Sequence, residues 1–202
     1  NKQLQIESMH HAWVMDLNDL VMEANNGGDE LRRDIHISAI PTMAPYLLPA
    51  LVKSFRKHHP HSQIHLHEEQ TAELLQSLRY GKIDLGLLAL PIEEPTFSSV
   101  VLANDPFLVA MSTEHRWANT SSPISLDRLA KENILLLEDG HCLRDQAENL
   151  CIRSNIQPSD IQATSLPTLV QMVAANMGVT LLPRSAAPIE ARTGSGVMTR
   201  PL

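Results

Sequence analysis

The chain contains two cysteines, Cys142 and Cys151, which lie nine residues apart in the segment LEDGHCLRDQAENLC. A predicted strand ends at Leu137, Asp139-Gly140 forms a tight turn, and a helix is expected to begin at or just after Cys142. Unpaired amide N–H groups and the positive end of the helix dipole favour a thiolate at that position. The first cysteine is therefore placed for nucleophilic or redox chemistry.

The second cysteine falls on the apolar stripe of the same predicted helix, where burial is expected. In a continuous helix the two thiols would be roughly 13 Å apart, whereas a disulfide needs Cα atoms about 4.4–6.8 Å apart. Cys142 and Cys151 could therefore bond only if the helix between them unwound. The residues alone leave two readings open, a redox pair and two structural thiols. The stripe consists of Leu143, Ala147, Leu150 and Ile152.

Five histidines fall within ten residues, at His58, His59, His61, His65 and His67. On a strand, His65 and His67 point to the same face, which is a spacing that a metal ion can use. The other three lie in a polar loop, and no cysteine or second histidine pair is near them in the sequence. We interpret the group as a solvated loop followed by two histidines on a strand, and predict no metal site.

The composition of the chain and the motifs that it lacks argue against several classes of function. The 202 residues are 43% hydrophobic and 19% charged, with a net charge of −7, as in an ordinary globular protein. No cluster of Lys and Arg is present to neutralise phosphates, so DNA binding by this chain alone is not expected. No apolar run approaches the roughly 20 residues that span a bilayer, and no signal peptide is visible. Glycine-rich nucleotide loops and the nucleophile elbow of serine hydrolases are absent. We expect a cytoplasmic protein without membrane contact or cofactor.

Strands and helices alternate after residue 33, which predicts an α/β fold with parallel sheets. Residues 1–31 form an acidic amphipathic helix of the linker or dimerisation type. The predicted elements of the first unit are Asp34–Ile40, Ala44–Lys57, Gln63–His67, Thr71–Tyr80 and Ile83–Leu90. Two further strands, Val100–Leu102 and Phe107–Met111, lead to the predicted elements Leu126–Ala130, Asn133–Leu137, the helix from Leu143, Ile161–Ala163, Leu166–Asn176 and Val179–Leu182.

Three long stretches resemble the effector domain of LysR-type transcriptional regulators: IPTMAPYLLPALVKSFRKHHP, HLHEEQTAELLQSLRYGKIDLGLLAL and MVAANMGVTLLP. The resemblance covers roughly residues 32–202. It implies two Rossmann-like subdomains, similar to periplasmic binding proteins, with a ligand cleft between them. We expect a linker helix at 1–31, subdomain I at 32–104 and subdomain II, with the cysteines, at 105–202.

Within that family, EDGHCLRDQA with a second cysteine nine residues after the first resembles the members that sense hydrogen peroxide. This resemblance implies that Cys142 is the peroxidatic cysteine and Cys151 the resolving one, joined in a disulfide after oxidation. It also implies that five residues line the pocket or surround the reactive sulfur: Thr42, Thr71, His141, Arg144 and Asp145.

The resemblance also implies the partners. These are hydrogen peroxide, a second copy or more in a homodimer or tetramer, and, for the full-length protein, RNA polymerase. DNA would be bound through an N-terminal winged helix-turn-helix that this sequence does not include. Family members also continue beyond the last residue here through a strand and a helix that return to subdomain I, so that segment is expected to be missing.

Two other functions compete with peroxide sensing. A LysR-type effector domain can bind a small organic inducer, and the same fold alone does not decide between ligands. A thiol peroxidase is the enzyme alternative, which we do not favour because no thioredoxin-type scaffold is visible. Titration of the thiols after peroxide treatment separates the first alternative, because an inducer-binding domain would lose none. Turnover with a thiol reductant would reveal the second.

Overall fold

The computed structural model describes residues 34–92 and 94–202, and the predicted helix at 1–31 lies outside them. The chain divides into two compact units, the second of which starts at Asp105. Among the described residues, no helix is long and apolar enough to cross a bilayer.

The first unit is a parallel three-stranded sheet with two helices. Its elements are β1 (Ile35–Ala39), α1 (Ala44–His58), β2 (Ile64–Glu68), α2 (Thr71–Arg79) and β3 (Leu85–Leu87). The strand order is β2-β1-β3, and β1 pairs in parallel with both neighbours. The parallel sheet predicted for this unit is therefore present.

One face of this sheet packs against α1. Alternate residues of β1 and β2 point to the same side, and those that face α1 are apolar. Arg56 and Lys57 in the last turn of α1 complement the negative end of its dipole. The buried cluster consists of Ile35, Ile37, Ala39, Ala44, Leu48, Leu51, Phe55 and Leu87.

The second unit combines an antiparallel and a parallel sheet. Its elements are β4 (Phe107–Ser112), α3 (Leu126–Leu129), β5 (Leu136–Leu137), α4 (Cys142–Arg153), β6 (Gln162–Ala163), α5 (Leu166–Ala174), β7 (Thr180–Pro183), α6 (Ala187–Glu190) and β8 (Val197–Pro201). Strand β4 lies between β7 and β8 and is antiparallel to both, whereas β5 and β6 are parallel. The antiparallel pairing was not foreseen from the alternation of helices and strands.

Several predicted elements differ from those observed. Residues 100–102 do not form a strand, and Val100 and Val101 are exposed. The strand predicted at Asn133–Leu137 is only Leu136–Leu137, with an isolated bridge from Ile134 to Val179. The strand predicted at 83–90 is likewise only three residues long. Strand β8 and the short helix α6 were not predicted at all.

Candidate functional site

Helix α4 begins at Cys142, and a short turn at residues 138–141 connects it to the end of β5. The connecting turn contains Gly140 with φ of 94°, a conformation that side chains with a Cβ rarely adopt. The amide of Glu138 donates to the carbonyl of Ala163, which fixes the start of the turn to β6. Gly140 and the pairing with β6 thus position the turn. The helix, expected to begin at or just after Cys142, begins at Cys142.

The first turn of α4 is closed by the backbone of His141, its N-cap residue. The His141 carbonyl accepts hydrogen bonds from Arg144 N at 2.8 Å and from Asp145 N at 3.3 Å. The imidazole does not cap the helix. Instead it is buried, and its Nδ1 has no hydrogen-bond partner in the part of the chain that the structure describes. A buried, unsatisfied ring nitrogen next to Cys142 is costly unless another molecule satisfies it.

The two thiols have different environments. Cys142 is partly exposed, whereas Cys151 is buried in the core of the second unit with Ala147 and Ile156. Burial raises the pKa of the Cys151 thiol, and the nearby Glu148 carboxylate raises it further. At neutral pH Cys151 is therefore held as a neutral thiol, while Cys142 is accessible to a small reactant.

Cys142 and Cys151 are not joined by a disulfide, and α4 is helical throughout the interval between them. The rise of an α-helix places their Cα atoms roughly 13 Å apart. A bond between them requires Cα atoms about 4.4–6.8 Å apart. Bond formation therefore requires unwinding of α4.

Arg144 links the start of α4 to the end of β5. Its Nη1 donates to the Leu137 carbonyl at 2.7 Å, and its Nη2 lies 3.7 Å from Glu148 Oε1. Its Nε lies 2.8 Å from Asp139 Oδ1, a charge contact without hydrogen-bond geometry. The Arg144 side chain is only 11% exposed. Asp145, in contrast, is an exposed residue of the first turn.

Thr42 and Thr71 lie in the first unit, each just after the carboxyl end of a strand. Thr42 is buried in the turn after β1, and Thr71 is the first residue of α2, after β2. Because β1 and β2 are parallel and paired in register, these two positions lie at one edge of the sheet. The Oγ1 atom of Thr71 is buried and has no hydrogen-bond partner among the described residues. The predicted approach of both threonines to Cys142 stays a prediction.

Two polar residues at the same edge were missed in the sequence. The Oγ of Ser38 and the Oε2 of Glu69 are also buried without a hydrogen-bond partner within residues 34–92 and 94–202. Ser77 Oγ donates to the other oxygen of Glu69 at 2.8 Å. The signal in the sequence was the position of Glu69, in EEQT, two residues after the predicted strand Gln63–His67. The burial of Ser38 could not be predicted from its neighbours in the sequence.

The LysR substrate binding domain family matches residues 28–202. The chain therefore belongs to the LysR family of transcriptional regulators. Among its relatives, the DNA-binding transcriptional dual regulator OxyR of Escherichia coli K12 is 42% identical over 179 residues, which is 88% of this chain and 58% of that protein. The chain thus spans a little under three fifths of the length of that relative.

Solved structures agree with this assignment. The reduced form of OxyR is 42% identical, has a TM-score of 0.72 and is matched over 83% of this chain and 78% of that one. A hydrogen-peroxide-bound C206S mutant of Corynebacterium glutamicum OxyR is 33% identical, has a TM-score of 0.79 and is matched over 93% and 59% of the two chains. The predicted α/β LysR effector fold and the similarity to peroxide-inducible activators are confirmed.

Proposed function

We propose that this chain is the regulatory part of a DNA-binding activator that detects hydrogen peroxide through Cys142. The observation that carries the proposal is the placement of the two thiols on α4, one accessible at the helix start and one buried nine residues later. The relatives named as hydrogen peroxide-inducible activators and the peroxide-bound structure support the choice of ligand.

The first step is oxidation of Cys142. Its thiolate attacks one oxygen of hydrogen peroxide, an S–O bond forms, and the O–O bond breaks. The leaving hydroxide takes up a proton and departs as water. Sulfur is oxidised by two electrons to a sulfenic acid, and peroxide is reduced by the same two electrons. In this proposal the unsatisfied Nδ1 of His141, next to Cys142, is a candidate hydrogen-bond partner of peroxide. The pocket roles that the resemblance implies for Thr42 and Thr71 stay proposals.

The second step is attack by Cys151 on the sulfenic sulfur. The Cys151 thiol loses its proton, an S–S bond forms, the S–O bond breaks, and the hydroxyl group leaves as water. Because burial and Glu148 raise the pKa of Cys151, the fraction of its thiolate increases when α4 opens. Opening is therefore expected to limit the rate of disulfide formation.

Unwinding α4 has a cost that oxidation must offset. Exposing a buried leucine such as Leu143 costs about 1.5–3 kcal/mol, and Ala147 and Cys151 leave the core with it. A disulfide that closes so short a loop stabilises by only about 2–3 kcal/mol in the loop-entropy model. The oxidised state is thus expected to be strained and easily reduced, which suits a reversible sensor.

The remaining parts of the proposal concern the complete protein. Arg144, which joins β5 to α4, and Asp145 would change partners when α4 unwinds. The repacked second unit would alter a homodimer or tetramer and, through it, the N-terminal winged helix-turn-helix that binds DNA. Contact with RNA polymerase would follow from activator function.

Single-cysteine variants test the chemistry. After addition of peroxide, mass spectrometry of C151S is expected to detect one added oxygen on Cys142, and C142S is expected to show no modification. The unaltered chain should lose both free thiols and gain one disulfide. Oxidation of Cys151 in C142S with an unreactive Cys142 in C151S would reverse the assignment. Retention of both thiols in the unaltered chain would favour an organic inducer instead.

A further inference from the structure

Three imidazoles and one carboxylate gather on β1 and β2 of the first unit. The rings of His36 and His65 are stacked, with centroids 4.5 Å apart and planes 11° apart. The rings of His36 and His67 are 6.0 Å apart and 17° from parallel. The Nε2 of His65 lies 3.3 Å from Asp34 Oδ2. We call these four residues the histidine patch.

The sheet register explains why they meet. His36 is the direct partner of His65 in the parallel ladder, and His67 is two residues further on the same face of β2. The alternate residues Ile35, Ile37 and Leu66 pack into the core with α1. The patch is therefore on the face opposite α1, and the side chains of His65 and Asp34 are 41% and 55% exposed.

Two histidines at positions i and i+2 of one strand, with a third on the adjacent strand, form a ligand set that transition metals accept. Imidazole nitrogen suits Zn²⁺, Cu²⁺ and Ni²⁺, and a carboxylate beside a ligating histidine fixes its ring orientation. The contact of His65 Nε2 with Asp34 leaves Nδ1 of that ring for a metal ion. The patch thus supplies three imidazole ligands and one orienting carboxylate.

The rings must turn before they can share an ion. Among the described residues, no three His, Cys, Asp or Glu side chains already have the arrangement of a metal site, and the patch rings are stacked rather than convergent. Rotation of histidine about χ2 is broad and inexpensive, and His65 is partly exposed and His67 exposed, which leaves room for it. Zn–N bonds are about 2.0–2.1 Å long, so the rings must leave the stacked arrangement and turn their in-plane nitrogen lone pairs toward one point.

We propose that the histidine patch is a binding site for a divalent transition metal ion, with His36, His65 and His67 as ligands and Asp34 orienting His65. This proposal departs from the sequence-based prediction of no metal site, because the β1–β2 register adds His36 to the pair. The site is independent of the redox chemistry, because it uses neither cysteine and lies in the other unit of the chain. Because the ligands are imidazole nitrogens, we expect the patch to bind Cu²⁺ more tightly than Zn²⁺.

Calorimetric titration with Zn²⁺ tests the proposal, in a C142S/C151S background that removes thiol ligands. One equivalent is expected to bind, and H36Q and H67Q are each expected to weaken binding at least 10-fold. D34N is expected to weaken it about 10-fold through the orientation of His65. The matched controls are H58Q and H61Q, which remove nearby loop histidines outside the patch and should leave the affinity unchanged.

Circular dichroism of each variant checks that the fold is retained, and Cu²⁺ electron paramagnetic resonance supplies a second readout. Nitrogen hyperfine splitting from bound Cu²⁺ should weaken when His36 or His67 is replaced and persist in the loop controls. Equal affinity in the patch variants and the parent, or loss of binding only in the loop controls, would overturn the proposal. So would the absence of any binding to the parent.

Discussion

Two thiols of the same residue type acquire different chemistry here because a single helix places them in different surroundings. Cys142 is at a helix start and partly exposed, and Cys151 is within the apolar core. The sequence predicts both positions, since a turn-forming Asp139-Gly140 marks the helix start and spacing puts Cys151 on the buried stripe. The raised pKa of Cys151 follows from that burial, with Glu148 adding to it.

The same rules of burial apply to Asp105, a residue that the sequence did not single out. Its carboxylate accepts a hydrogen bond from Ser185 N at 3.0 Å and one from Ser185 Oγ at 2.5 Å. Burial nevertheless dominates and raises the pKa of Asp105 above its ordinary 3.8, although the Ser185 hydrogen bonds oppose it. The folded chain therefore holds the Asp105 proton more tightly than the unfolded chain does.

We expect the free energy of unfolding of Asp105→Asn, measured relative to that of the unaltered chain, to increase as the pH rises. Between 3.8 and the raised pKa, the folded state binds more protons than the unfolded state, so the free energy of unfolding contributed by Asp105 falls with increasing pH. Asparagine does not titrate and lacks this loss. Urea unfolding of both chains across this pH range measures the difference between their free energies of unfolding. This difference should become constant near neutral pH. A difference that shrinks with increasing pH would contradict the expectation.

At the scale of elements, α4 is the part of the second unit whose stability governs the proposed disulfide. Asn149 is an exposed residue within it, so substitutions there change helix propensity without changing the core. Alanine favours a helix over glycine by about 1 kcal/mol.

Disulfide formation should be faster in Asn149→Gly than in Asn149→Ala, by up to about fivefold, because a less stable α4 opens more often. Formation of the Cys142 sulfenic acid should not differ between them. Stopped-flow measurement of the two phases after peroxide addition separates these steps. The matched pair Gln76→Ala and Gln76→Gly, at an exposed site in α2, should give equal rates for both phases. Equal disulfide rates in the two Asn149 variants would mean that α4 need not unwind.

Local signals made most elements predictable, and long-range pairing accounts for the failures. Strand β8 contains the polar residues Thr199 and Arg200 and ends at Pro201, which lacks an amide N–H, so its sequence does not indicate a strand. It forms because it pairs with β4, and Arg200 donates to the carbonyls of Thr120 and Ala118. Residues 100–102 have strand-forming side chains but no ladder in the described structure. The helix start at Cys142 depended on adjacent residues, so it was predicted correctly.

The same contrast applies to the sites. His65 and His67 were recognised as a pair two residues apart, but His36 is far from them in sequence and meets them only through the β1–β2 register. Ser38 and Glu69 were missed for a similar reason, since their burial depends on packing around the end of the sheet. Periodicity predicts which face a residue occupies, whereas the partner on the next strand depends on register.

At the scale of the whole molecule, helix α1 is the element that we consider for contact between two copies of the chain. Its apolar residues lie on more than one face, but Leu47, Leu48, Leu51 and Phe55 are all buried in this chain. Val52 is partly exposed on the same helix. The argument for a homodimer therefore depends on the family resemblance and on Val52, rather than on a large uncovered face.

A homodimer at tens of micromolar is the expected state, and Val52→Asp should convert it to a monomer. A charge placed in an apolar interface loses solvation without gaining a partner, which at a well-packed contact costs about 2 kcal/mol or more, or roughly 30-fold in the dissociation constant. Because Val52 is not in the apolar cluster of the first unit, the variant should keep its fold, as measured by circular dichroism. Sedimentation velocity over a concentration series measures the state, with the neighbouring exposed substitution Lys53→Gln as the control that leaves the dimer intact. A monomeric parent chain would contradict the dimer, and an unchanged dimer in Val52→Asp would place the interface on another surface.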